Sequence, residues 1–88
     1  MDDETTLLEF PCQFPIKVMG KGDVEFELLV IELISEHIDN LDPSAVKRRP
    51  SKSGNYLAIT VTIEAISKKQ LDAIYQSLSA HPLVLMAL

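Results

Sequence analysis

The feature that most constrains this chain is a run of ten residues with strict two-residue periodicity, Tyr56 to Ala65. Leu57, Ile59, Val61, Ile63 and Ala65 fall on one side; Tyr56, Ala58, Thr60, Thr62 and Glu64 fall on the other. Such alternation fits a β-strand, whose side chains point to opposite faces in turn. It also implies one buried face and one that is wet or covered by a partner. The chain has 88 residues, room for a single domain, and its 47% hydrophobic content supplies a core for that strand to face.

The other elements are read around this strand. Residues 1–13 hold four acids and Pro11, and read as a flexible arm, or alternatively as a short strand or turn, ahead of one domain at 14–88. Phe14 to Met19 reads as a strand with Phe14, Ile16 and Val18 on one face, ended by Gly20 and Gly22. Asp23 suits the N-cap of a helix running to about Asp39, with Glu25 and Glu27 in a first turn that favours acids. Its core stripe is Phe26, Val30, Leu33, Ile34 and His37. Ala45 to Arg49 reads as a short strand limited by Pro50, which suits a sheet edge. Ser51 to Asn55 is a polar turn. Ser67 and Gln70 form a capping box, followed by Leu71, Ile74, Tyr75 and Leu78 at helical spacing. His81-Pro82 ends that helix, and Leu83 to Leu88 reads as a final strand.

The order β-α-β-β-α-β, with right-handed crossovers, predicts an α+β ferredoxin-like plait. Its four-stranded antiparallel sheet has the order 4-1-3-2 and both helices lie on one face. The Lys47-Arg48-Arg49 run then sits on an edge strand, where charge discourages stray pairing.

Composition excludes several functions. The net charge of −5 disfavours nucleic acid and anionic membranes as partners, since phosphate binding needs clustered cations. An RNA-binding plait would stack bases on aromatics of its central strands. Here Lys17, Met19, Ala58, Thr60 and Thr62 occupy that face, with Tyr56 only at its start. One cysteine, Cys12, forms no internal disulfide and suits a reducing compartment. The acidic start and the lack of a long apolar run point to a cytoplasmic protein. Cys12, His37 and His81 do not have ligand spacing, so we expect no metal site and no cofactor. No nucleophile, base and acid assemble into a catalytic set, so an enzyme is not expected.

Two surfaces remain as candidates. Val24, Leu28, Ile31 and Ile38 form a second apolar row on the first helix, either a broad core face partly covered by the arm or a subunit interface. Leu28 and Ile31, with Thr60 and Thr62 on the open side of the long strand, are the expected interface residues for self-association or a protein partner. The turn Ser51, Lys52, Ser53, Gly54 and Asn55, together with Lys17, is the expected site for a small anionic ligand, through backbone N–H groups and charge. A plain hairpin turn explains the same residues. Glu25, Glu27, Glu32 and Glu36 read as a solvated face, or as an acidic docking surface complementary to Lys47, Arg48, Arg49 and Lys52.

Phe10-Pro11 and Phe14-Pro15-Ile16-Lys17-Val18-Met19-Gly20 resemble the opening of the YbeD-like family of small bacterial proteins. Ser53-Gly54-Asn55-Tyr56 resembles that family's turn into its central strand, and Gln70-Leu71, Tyr75 and Val84 to Leu88 fit the same pattern. The resemblance runs from Leu8 onward. One position departs from it: Ser53 stands where the family carries a lysine before the glycine, and Lys52 lies one residue earlier. The resemblance implies an ACT-like regulatory domain connected with lipoate metabolism. The resulting expectation is a non-enzymatic regulatory or adaptor domain, with an ACT-like sensor of an anionic metabolite as the alternative.

Overall fold

The computed structural model describes residues 9–22 and 24–88. In chain order the elements are β1 (Cys12–Lys21), α1 (Val24–Ser35), a 3-10 turn (Pro43–Ala45), β2 (Val46–Pro50), β3 (Tyr56–Ala65), α2 (Lys68–Ser79) and β4 (Val84–Ala87). The strands form one antiparallel sheet in the order β2-β3-β1-β4, which is the expected 4-1-3-2 plait read from the other edge. Most of the expected N-terminal arm and the Asp23 cap lie outside the described residues.

β1 and β3 form the spine of the sheet. They pair without a break from Cys12↔Ala65 to Lys21↔Tyr56. β1 is therefore longer than Phe14–Met19 at both ends, and Cys12 and Gln13, expected in the arm, belong to it. Gly20 does not stop the strand because it serves packing. A Cβ there would overlap the Leu83 carbonyl and the Phe26 ring. β4 pairs with the other side of β1, with a bulge at Leu85 between the pairs Met19↔Met86 and Gly20↔Val84. Leu88 continues this ladder by exchanging two backbone hydrogen bonds with Lys17.

The core lies between the sheet and the helices. Ile16 and Val18 of β1 and Leu57, Ile59, Val61, Ile63 and Ala65 of β3 meet Phe26, Val30 and Ile34 of α1 and Leu71, Ile74 and Leu78 of α2. Among the described residues, no polar or charged side chain is buried with them. The alternation that opened the sequence reading is thus realised residue by residue.

α1 stops at Ser35, one turn before the expected Asp39. The ladder tightens there, with the His37 amide bonding to the Ile34 carbonyl. His37 is then held by α2 rather than by its own helix. Its Nε2 lies 2.8 Å from Ser77 Oγ, and its carbonyl accepts from Gln70 Nε2 at 3.0 Å. Gln70 serves both helices, because its Oε1 also accepts from the Ile66 amide at 2.8 Å while its own amide donates to the Ser67 hydroxyl. The capping box is therefore present, with Gln70 reaching back one residue beyond the cap. Leu33, half-buried, and His37 stay at the rim of the core.

The chain then enters β2 through a 3-10 turn capped by Asp42, whose side chain accepts from the Ser44 amide. Hydrogen bonds from the Ser44 amide and hydroxyl hold the Asp42 carboxyl below its ordinary range. Arg48 of β2 reaches over the sheet edge to Glu27 of α1 at 3.3 Å.

Candidate functional site

With the helices on one side of the sheet, no described element covers the other, which is bare among the described residues. The register defines what stands there: Lys17 pairs with Thr60, Met19 with Ala58 and Lys21 with Tyr56 across β1 and β3. Lys47 and Arg49 of β2 lie beside Thr60 and Ala58. Met86 of β4 lies beside Met19, and Leu88 beside Lys17. Because alternate residues share a face, these side chains form one surface.

That surface has an apolar middle and a basic surround. Met19 is 41% exposed, Tyr56 39%, Met86 49% and Leu88 66%. Lys17, Lys21, Lys47 and Arg49 are all exposed around them. Among the described residues, neither ion pair involves any of these four cations. The one acid in the same register on the strands is Glu64, at the far end opposite Gln13. A face with four basic side chains and one acidic side chain is distinctive on a chain with net charge −5. Low-dielectric walls beside such charges strengthen the field they present.

Two depressions mark the face. One, of about 260 Å³, is lined by Met19, Arg49, Pro50, Ser51, Tyr56 and Ala58. The other, of about 90 Å³, lies between Lys17, Met19, Thr60, Met86 and Leu88. The first offers an apolar floor with a guanidinium and a hydroxyl at its rim. That combination suits a carboxylate carried on an apolar body.

The residues expected to bind an anion are only partly brought together. The turn is closed on itself: the Gly54 amide donates to the Ser51 carbonyl at 3.0 Å and the Asn55 amide to Ser53 Oγ at 3.4 Å. The Tyr56 amide donates to Ser51 Oγ at 3.2 Å, and Gly54 has φ of 79°. Most of the N–H groups that would greet an anion are thus used in holding the turn. Lys17 stands four residue pairs down the ladder from Tyr56, roughly 13 Å away at ordinary strand rise. Lys21, which no sequence motif marks, and Arg49, expected only as edge or docking charge, flank the turn's end of the sheet instead.

The expected interface residues also divide. Thr60 and Thr62 are half-buried on the bare sheet face, whereas Leu28 and Ile31 lie across the molecule on α1. The expected row divides: Leu28 is 60% exposed and Val24 53%, whereas Ile31 and Ile38 are half-buried and Ile38 packs against the core. Ile31 turns toward a groove of about 340 Å³ lined also by Ser35, Ile38, Leu41 and Val46.

Cys12 is half-buried against the core. Among the described residues, no three His, Cys, Asp or Glu side chains gather as a metal site. The His37–Ser77 contact resembles a base and a nucleophile, but it joins two helices. The cavity beside His37, lined by Ile38, Asp39, Asn40, Glu64, Ile66 and Gln70, does not reach Ser77. Among the described residues, no helix is long and apolar enough to cross a membrane. Asp42 and Tyr75, the latter raised by burial, show displaced pKa values, and neither lies on the bare face.

The geometry defines a small α+β plait with helices on one side and an unpaired basic-apolar face on the other. Residues 5–88 match the family described as "Protein of unknown function (DUF493)". The chain belongs to this family, the YbeD-like family that its opening and turn resemble. A UPF0250 protein of Paraburkholderia phytofirmans is 46% identical over 83 residues, covering 94% of this chain and 93% of the relative. UPF0250 protein NE1487 of Nitrosomonas europaea is 42% identical over 85 residues, covering 97% and 98%. The solution structure of protein HP0495 from H. pylori has the same fold, with a TM-score of 0.71 at 16% identity over 92% of this chain and 85% of that one.

Proposed function

We propose that this chain is a non-enzymatic adaptor or regulatory module of the cytoplasm that works by docking the bare face of its sheet onto a protein surface. The observation that carries the proposal is the set Lys17, Lys21, Lys47 and Arg49 around Met19, Tyr56, Met86 and Leu88, on a chain that is acidic elsewhere. Such a surface favours a partner with carboxylates surrounding apolar side chains, because opposite potentials steer encounter and the apolar middle supplies burial. Family resemblance links such a module to lipoate metabolism, and that link is part of the proposal. Affinity capture with the wild-type chain and with a Lys17→Glu/Arg49→Glu variant tests it. Partners lost from that variant, and released by high salt, support the reading. Partners retained equally by both proteins contradict it.

A second reading is an ACT-like sensor of an anionic metabolite. The depression bounded by Arg49, Ser51 and Tyr56 favours it, and moves the expected ligand site from the turn amides to the sheet beside them. Ligand-observed NMR against amino acids and lipoate-related acids is the test. Binding that Arg49→Ala abolishes supports the sensor; no binding by any of these acids removes it.

A further inference from the structure

The outer side of α1 is the chemical complement of the bare sheet face. On a helix of 12 residues, Val24, Leu28 and Ser35 recur at spacings that stack them along one line. Both apolar members of that row are more than half exposed. Glu32 on its flank and Glu36, one residue past the helix end, are exposed beside it. This side therefore offers apolar groups beside carboxylates, and the sheet offers apolar groups beside ammonium and guanidinium groups. The dimensions also agree. A helix of this length is about 18 Å long, and four strands at ordinary spacing span about 14 Å.

From this complementarity we infer that a second copy of this chain is an occupant of the sheet face, seated head-to-tail with the outer side of its α1 across β1 and β3 of the first. This rests on the reading of the sheet face as a docking surface and names one partner for it. The two halves of the contact are different patches of the same chain. The contact is therefore heterologous and leaves one unsatisfied copy of each patch at the ends. One helix on one sheet face is a small interface, so association is weak, salt-sensitive and progressive with concentration.

Sedimentation of two exposed-surface variants tests the inference. Lys17→Asp/Arg49→Asp damages the sheet half, and Leu28→Lys damages the helix half; circular dichroism and melting curves establish that each is folded. The wild-type average mass should rise from micromolar to millimolar concentration, and fall again on adding salt. Each variant alone should remain monomeric. Their mixture should regain a complex, because one supplies an intact α1 and the other an intact sheet face. A wild-type chain that stays monomeric at millimolar concentration overturns the inference, and leaves the sheet face to a partner of another sequence. Self-association that survives Leu28→Lys but not the sheet variant also overturns it, since the contact is then face to face and the docking reading still stands. Association untouched by either variant contradicts both. Should Leu28→Lys fail to fold, Glu32→Lys replaces it with the same expected outcomes.

Discussion

At the scale of single residues, the fold depends on a few positions whose chemistry is not interchangeable. Gly20 lies where β1, β4 and Phe26 converge, and a Cβ there meets the Leu83 carbonyl and the aromatic ring. Gly20→Ala should destabilise the chain by roughly 1–3 kcal/mol, the usual cost of overpacking, read from a denaturant midpoint. Gln70 is the other such position, because its side-chain amide accepts from the Ile66 amide just ahead of α2 and donates to the His37 carbonyl just past the end of α1. Asp42 adds a pH-dependent contribution. Its folded carboxyl is held low by Ser44, so its stabilisation is complete above the ordinary carboxylate range and is lost as pH falls through the lowered value. An Asp42→Ala variant should therefore differ from wild type at neutral pH and converge with it in acid. A pH series of urea midpoints measures this; a constant difference across the series contradicts the role.

At the scale of elements, local periodicity carried most of the information. β3 and α2 follow directly from the alternation of Tyr56 to Ala65 and from Ser67, Gln70 and the Leu71-Ile74-Leu78 stripe. The end of α1 was not legible, because His37 is fixed by Ser77 and Gln70, which lie 40 and 33 residues away in sequence. The ends of β1 were misplaced for a related reason. Gly20 looks like punctuation in a linear reading and acts as a packing position in three dimensions. The bare face was half legible: the alternation placed Lys17, Met19 and Thr60 on it, but Arg49 and Met86 join them only through cross-strand register. The two sides of α1 should respond differently to mutation. Phe26→Ala removes a buried ring and should cost about 3–5 kcal/mol. Leu28→Glu on the exposed row should change stability by no more than about 0.5 kcal/mol. Equal losses at both positions would mean that the exposed row is covered within the chain.

At the scale of the whole molecule, charge separates by layer. Glu32 on α1 and Glu36 just past its end are exposed, while Lys17, Lys21, Lys47 and Arg49 stand on the opposite side of the sheet. The lysines provide a readout of this polarity. Lys68 and Lys69, on the helix side, serve as internal controls. The most direct measurement is the rate at which each lysine is acetylated by a small reagent, in dilute purified protein and in the assembled state recovered from the cell. Lys17, Lys21 and Lys47 should slow several-fold on assembly while Lys68 and Lys69 do not change. Protection of Lys68 and Lys69 with the other three unaffected would contradict this expectation.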